Sequence, residues 1–259
     1  VAVRDGRIEH VGARDWVIET LTQRGLSFTE RHFEGVLLPG LVNAHTHLQY
    51  TGMASVGAGQ YRGFDSWARA FDEVYDAGGL DWGGDAAAGA RLLLESGTTA
   101  AADVVTDAAA ASALHDAGLH GVAYWEVMSW SNEEWRARGE REVSESLDAM
   151  QTPPGVGISP HAPYSLDAEP LLDLPDMARR RGMRIHIHLG ESHSEAEWSE
   201  TRTTDLADLW KTEHSSSFTA MRSRGGGFSS TQFVDQLGVL GPDCHVAHGV
   251  YMRADDRRR

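Results

Sequence analysis

From residue 35 onward, short apolar segments typical of β-strands alternate with segments typical of α-helices. The predicted strands are residues 35–42, 98–105, 119–125, 155–159, 184–189 and 244–247. This alternation is typical of βαβ units and a parallel sheet. No glycine-rich fingerprint favours a dinucleotide-binding sheet. We therefore predict an α/β fold, a TIM-type (β/α)8 barrel truncated after strand six, since closure needs eight such units.

The composition of the chain disfavours two classes of binding partner, nucleic acids and membranes. The 259 residues include 38 acidic and 23 basic side chains, a formal net charge of −15 that disfavours binding to nucleic acid. No apolar run approaches the ~20 residues that span a bilayer, so we expect no membrane association. The single cysteine, Cys244, excludes an internal disulfide and is typical of a reducing, cytoplasmic compartment. The expected partner is a small-molecule substrate.

Histidine marks the ends of four predicted strands. These residues are His45 and His47 at strand one, His161 at strand four, His188 at strand five and His248 at strand six. In an α/β barrel the carboxyl ends of the strands converge on one rim, and alternation places His45 and His47 on the same face. Neutral imidazole is a good ligand for Zn²⁺. We predict a metal site in which His45 and His188 lie within ~10 Å, since Zn–N bonds are ~2.0–2.1 Å. Singly, each could instead be a satisfied polar residue.

Four motifs carry a resemblance to a known family. They are Leu-Pro-Gly-Leu-Val-Asn-Ala-His-Thr-His at 38–47, Ser-Pro-His-Ala-Pro-Tyr at 159–164, His-Leu-Gly-Glu at 188–191 and Ala-His-Gly-Val at 247–250. Together they resemble the amidohydrolase superfamily, in the branch that contains adenosine-like, guanine and chlorotriazine hydrolases. The resemblance implies a barrel with a small β-sandwich built from both chain termini. Residues 1–36 would be part of that β-sandwich, and residues 37–259 would supply barrel strands one to six.

The resemblance also implies the ligand set. It indicates one divalent metal, zinc with iron as the alternative, held by His45, His47 and His188. A further aspartate ligand is expected at strand eight, so we expect this sequence to be an inactive fragment of a longer protein, which could be a homo-oligomer. The only lysine is Lys211, beyond strand five, which excludes a dinuclear site bridged by a carboxylated lysine at strand four.

Catalytic roles follow from the same pattern. Zinc lowers the pKa of bound water to ~7, which would supply hydroxide for attack on an aminopurine carbon. Glu191 is the predicted proton shuttle, with a helix N-terminal carboxylate as the alternative. His248 would orient the attacking water or contact the metal. His161 and Tyr164 are predicted to bind substrate, with rim packing as the alternative, and His186 is a candidate supporting partner of the ligands.

The substrate prediction depends on residues 191–198, 222–227 and 240–251. These segments are similar to aminodeoxyfutalosine deaminases of the menaquinone pathway. Arg222 and Arg224 could then contact a substrate carboxylate, with a solvated basic loop as the alternative. Other hypotheses are a guanine- or adenosine-type deaminase, a chlorotriazine-type hydrolase, and a catalytically inactive metal-binding homologue.

Overall fold

A computed structural model describes residues 1–150, 155–201 and 228–259. Contacts divide the chain into two compact units, Val1–Pro39 and Gly40–Arg259. In the described helices, none combines the length and apolar character needed to cross a membrane.

The N-terminal unit begins with a β-hairpin. Strands β1 (Ala2–Arg4) and β2 (Arg7–His10) pair antiparallel. The connecting residues Asp5 and Gly6 have φ angles of 51° and 72°, the left-handed conformation of a tight two-residue turn. Helix α1 (Arg14–Gln23) follows. Assignment of this unit to a β-sandwich stays a prediction.

The second unit contains a parallel sheet of six strands. They are β3 (Leu41–Thr46), β4 (Thr98–Val105), β5 (His120–Val127), β6 (Val156–Pro160), β7 (Ile185–Leu189) and β8 (Cys244–His248). Each strand pairs with the next strand in the chain, in the order β3 to β8. This arrangement confirms a TIM-type barrel, and the described part of the chain contains six of the eight strands that close such a barrel.

Helices connect the strands. They are α2 (Ala54–Gly57), α3 (Phe64–Asp76), α4 (Trp82–Glu95), α5 (Ala113–Asp116), α6 (Asn132–Glu134), α7 (Glu140–Ala149), α8 (Ala168–Arg180), α9 (His193–Thr201) and α10 (Ser230–Gln236). Shorter 3-10 turns span Leu48–Met53, Ala108–Ala110 and Asp256–Arg258, and a π-helical segment spans Trp135–Gly139.

The core lies between the sheet and its helices. Leu171 and Leu174 of α8 and Ile185 and Ile187 of β7 belong to one buried cluster, each with no exposed surface. Full burial of such a side chain contributes about 1.5–3 kcal/mol. This layer holds β7 rigidly, and β7 carries His188.

The first barrel strand differs from its predicted position. The predicted buried strand spans residues 35–42, whereas β3 begins at Leu41 and ends at Thr46, inside the His-x-His motif. Proline lacks the N–H that a strand ladder requires, so Pro39 is a poor strand residue. Val36 is 84% exposed, so this apolar segment is not buried as expected.

Candidate active site

The histidines predicted at strand ends all lie at the carboxyl edge of the parallel sheet. His47 and His161 directly follow β3 and β6. His188 is the penultimate residue of β7, and His248 is the last residue of β8. Because all six strands are parallel, these four ends meet at the same edge.

The imidazole rings form one cluster. The ring centroids of His45 and His188 lie 4.8 Å apart, and those of His45 and His248 lie 5.0 Å apart. The ring centroid of His161 lies 5.0 Å from that of His188. The separation of His45 from His188 is well inside the ~10 Å expected for histidines that share a metal with bonds of ~2.0–2.1 Å.

Hydrogen bonds orient two of the ligand candidates. Nδ1 of His188 donates to the carbonyl oxygen of His161 over 2.9 Å, which leaves its Nε2 with a lone pair. This Nε2 lies 3.2 Å from Nε2 of His47. Nδ1 of His45 lies 3.3 Å from Nε2 of His186. His186 can therefore hold the ring of His45 through Nδ1 and leave its Nε2 for a metal.

Burial keeps these histidines neutral. It lowers the pKa of His45 to about 4 and that of His161 to about 4. It also lowers the pKa of His47 and of His188 well below the usual value, and lowers the pKa of His248. A neutral imidazole has a free ring-nitrogen lone pair, which a metal ligand requires.

Glu191 lies on a tight turn after β7. The preceding Gly190 has a φ of 63°, a conformation that glycine adopts without strain. The buried carboxylate of Glu195 accepts the backbone N–H of Gly190 over 2.9 Å and that of Glu191 over 2.8 Å. These two hydrogen bonds hold the backbone of Glu191 in place.

The side chain of Glu191 has two polar neighbours. Its Oε2 accepts the hydroxyl of Tyr164 over 3.2 Å, and its Oε1 lies 3.5 Å from Nε2 of His248. Burial raises the pKa of Glu191 to about 7. A carboxyl group that titrates near neutrality can accept and release a proton at physiological pH.

The residues predicted to bind substrate occupy different surroundings. His161 lines a central cavity of about 280 Å³, and its Nδ1 lies 2.7 Å from Oγ of Ser165. Tyr164 is only 2% exposed, and its hydroxyl is directed to Glu191. Arg222 and Arg224 lie outside the described residues.

Glu126 is a cluster residue that we did not predict. It lies near the end of β5, is 7% exposed, and places Oε1 3.8 Å from Nδ1 of His188. Burial raises the pKa of its carboxyl group to about 8. The sequence does contain a signal, because Glu126 directly follows the segment predicted as strand three. It thus occupies the same kind of position as the histidines.

The donor set fits a divalent metal. Two groups of side chains each bring their ligand atoms within 4.8 Å of one another. They are His45, His188 and His248, and His47, Glu126 and His188. The three predicted ligands, His45, His47 and His188, are therefore divided between two groups that share His188. Imidazole nitrogens and carboxylate oxygens are the donors of catalytic zinc sites.

An aromatic wall, formed by Tyr50, Phe64, Trp67 and Phe71, lines the same cavity as the histidines. The ring of Phe71 lies 4.9 Å from that of Tyr50 and 5.5 Å from that of Trp67. Tyr50 also stacks on His47, with ring centroids 5.1 Å apart and planes inclined by 16°. The cavity thus combines a polar side with an apolar side that suits a flat ring.

Three residues of the aromatic wall come from α3, which we did not predict. The apolar residues Phe64, Trp67, Ala68, Phe71 and Tyr75 recur at the spacing of one helix face. That periodicity was the available signal. The wall therefore belongs to an amphipathic helix whose apolar face is turned to the cavity.

Fold and site together define a TIM-type barrel protein whose histidine cluster, at the carboxyl edge of the strands, can hold a metal. A family comparison then makes the assignment specific. The amidohydrolase family matches residues 36–259, and the chain belongs to that family.

Individual relatives agree with this family. Over 98% of its length, the chain is 28% identical to a 5'-deoxyadenosine deaminase of Methanopyrus kandleri, of which it covers 53%. It resembles the crystal structure of Helicobacter pylori aminofutalosine deaminase in complex with methylthio-coformycin. That match has a TM-score of 0.70 and 24% identity, over 86% of this chain and 54% of the other.

A second similar structure contains a metal. It is atrazine chlorohydrolase from Arthrobacter aurescens TC1 complexed with zinc, at a TM-score of 0.62 and 18% identity, over 85% of this chain and 50% of the other. At these identities the two structural likenesses concern the fold alone. The chain spans about half the length of the relatives that it matches.

Proposed function

We propose that this protein is a zinc-dependent hydrolase that removes the amino group from an adenine nucleoside. The observation that carries the proposal is the position of Glu191. Its carboxylate contacts both His248 and Tyr164 beside the histidine cluster, and its pKa of about 7 suits proton transfer. A deaminase needs such a group because the ring nitrogen gains a proton and the amino group leaves as ammonia.

His45, His47 and His188 would hold the metal, which when bound supplies a Lewis acid and lowers the pKa of water. Glu191 would carry one proton of the attacking water to the purine ring nitrogen and then the other to the amino group, which departs as ammonia. His248, beside Glu191, would orient the attacking water by a hydrogen bond. Tyr164 would hold the carboxylate of Glu191 through its hydroxyl, and His161 would contact substrate from the cavity lining.

The relatives and the cavity together support the substrate class. The name of the Methanopyrus kandleri relative is that of a deaminase of 5'-deoxyadenosine, and the Helicobacter pylori structure is named as an aminofutalosine deaminase. The aromatic wall can stack on a purine, an interaction worth about 1–3 kcal/mol per base. We therefore propose an adenine nucleoside, with 5'-deoxyadenosine and aminodeoxyfutalosine as the leading candidates.

The test is product analysis with the protein expressed from its whole natural gene. Adenosine, 5'-deoxyadenosine, 5'-methylthioadenosine, aminodeoxyfutalosine, guanine and a chlorotriazine should be incubated with zinc-loaded protein. The proposal expects ammonia from at least one adenine nucleoside. Chloride release from the triazine, without ammonia from any nucleoside, would instead establish the chlorotriazine hydrolase. The absence of both products would contradict the hydrolase proposal.

A further inference from the structure

Glu126 presents a buried carboxylate to the histidine cluster. Its Oε1 and the Nδ1 of His47 are both buried, and neither has a hydrogen-bond partner within the described ranges. Buried polar atoms usually have a partner, because their desolvation is otherwise uncompensated. An uncompensated carboxylate is the more costly of the two when it is ionised. The unpaired oxygen of Glu126 therefore points to a missing cationic partner.

Within the described part of the chain, no basic side chain lines the cavity to fill that role. Among the described residues that line the cavity, Asp72, Glu126 and Glu191 carry carboxyl groups, and no lysine or arginine is present. A divalent cation would supply the charge that the side chains lack.

The geometry around Glu126 suits such a cation. A carboxylate oxygen of Glu126 and ring nitrogens of His47 and His188 all lie within 4.8 Å of one another. Nε2 of His47 and Nε2 of His188 are 3.2 Å apart. Two nitrogens bound to one tetrahedral zinc at ~2.05 Å would be about 3.3 Å apart.

We propose that Glu126 is a metal ligand and that it completes, with His47 and His188, a two-histidine, one-carboxylate set within this chain. This inference rests on the proposed metal-dependent function, and it adds a carboxylate ligand from the third barrel strand. Histidine nitrogens and a glutamate oxygen occur together in catalytic zinc sites, and Glu126 would supply the carboxylate that His45, His47 and His188 lack.

The experiment measures zinc affinity, without substrate, in protein expressed from its natural reading frame and stripped of metal. Zinc is titrated against a competing chelator, and Co²⁺ is then used as a spectroscopic probe of the ligand set. Loss of an outer-sphere partner weakens affinity by about 10–100-fold, so Glu126→Gln should weaken zinc binding by more than 100-fold if Glu126 is a ligand. The visible Co²⁺ absorption should change as well. Glu126→Asp, which keeps a carboxylate, should restore part of the affinity.

The matched control is Asp167→Asn. Asp167 is also a buried carboxylate, 2% exposed, but it accepts the backbone N–H of Asn132. This variant should bind zinc as the unaltered protein does. Thermal unfolding of metal-free Glu126→Gln checks the fold, and added zinc should raise its melting temperature less than that of the unaltered protein.

Two results would overturn the inference. The first leaves the proposed function intact, and the second does not. If Glu126→Gln binds zinc and Co²⁺ like the unaltered protein while His188→Ala does not, Glu126 is not a ligand and the proposed function stands. A raised KM in Glu126→Gln would then indicate that Glu126 contacts the substrate. If the unaltered protein binds no metal, both the inference and the proposed function fail.

Discussion

The two sides of the cavity differ in burial and in the element that carries them. The histidine side comes from strand ends, and His188 is only 5% exposed and hydrogen-bonded to the backbone. The aromatic wall comes mainly from α3, which has no buried residue, and its Trp67 is 36% exposed. Metal and proton chemistry requires narrow tolerances, which a packed sheet provides, whereas a half-exposed helix can change its contacts at little cost to folding. We therefore propose that the histidine side carries the chemistry and that the aromatic wall sets the substrate preference.

The largest effect should follow His188→Ala. His188 belongs to both groups of candidate ligands, so its loss should remove bound metal and reduce turnover to the background rate. Metal analysis and ammonia release measure the two consequences. His120→Ala is the control, because His120 is an exposed histidine at the start of β5, away from the cluster. Retention of one zinc per chain in His188→Ala would contradict the proposal that the histidine side binds the metal.

Glu191→Gln should separate metal binding from turnover. The substitution keeps the shape of the side chain but removes its titratable group, so turnover should fall by about 10²–10⁴-fold. Metal content should be unchanged. Metal-free Glu191→Gln protein would mean that Glu191 is a ligand and not a proton shuttle. Glu133→Gln, an exposed glutamate on α6, is the control.

His188 and Glu191 could be predicted from the sequence, whereas Glu126, the bounds of β3 and the orientation of α3 were not. Strand ends with histidine predicted His188 and Glu191 because the carboxyl ends of parallel strands must converge. Glu126 was overlooked because a single glutamate after an apolar segment is common on protein surfaces. The position of β3 was wrong by several residues because apolar character alone does not locate the ladder hydrogen bonds. The amphipathic pattern could have predicted α3, but only the tertiary structure turns it toward the histidines.

Phe71→Ala should have a moderate effect on the aromatic wall. Phe71 contacts Tyr50 and Trp67, and loss of stacking worth about 1–3 kcal/mol would raise KM about 5–150-fold. The turnover number and metal content should change much less, because the Phe71 side chain can neither bind a metal nor transfer a proton. Steady-state kinetics with one nucleoside measures the split, and Trp16→Ala, on α1, is the control. An unchanged KM would contradict the proposal that the aromatic wall binds the substrate.

The smallest effect concerns the pH dependence of metal-free stability. Burial lowers the pKa of seven described histidines, including His45 to about 4, so stability should be lost as pH falls below the unfolded value of ~6.5. Burial raises the pKa of four carboxyl groups, including Glu126 to about 8 and Glu195 to about 7. Their contribution is fully present below the unfolded value of about 4 and is lost as pH rises toward 8.

The histidine effect ends near pH ~6.5, and only the carboxyl effect continues above it. Because the histidines outnumber the carboxyl groups, stability should rise up to about pH 6.5 and then decline. Urea unfolding midpoints in chelator, measured between about pH 4.5 and 8.5, test this expectation. Glu126→Gln should flatten the decline. A midpoint that keeps rising above pH 7 would contradict the burial of these carboxyl groups.

We propose that the histidine cluster holds a metal that makes this protein a nucleoside deaminase. The most direct test titrates zinc into metal-free protein, expressed from its natural reading frame, and measures ammonia released from 5'-deoxyadenosine or aminodeoxyfutalosine. We predict that the rate rises in proportion to bound zinc and reaches a plateau at one zinc per chain. Ammonia release that is independent of zinc, or protein that is fully zinc-loaded yet releases no ammonia from any adenine nucleoside, would contradict it.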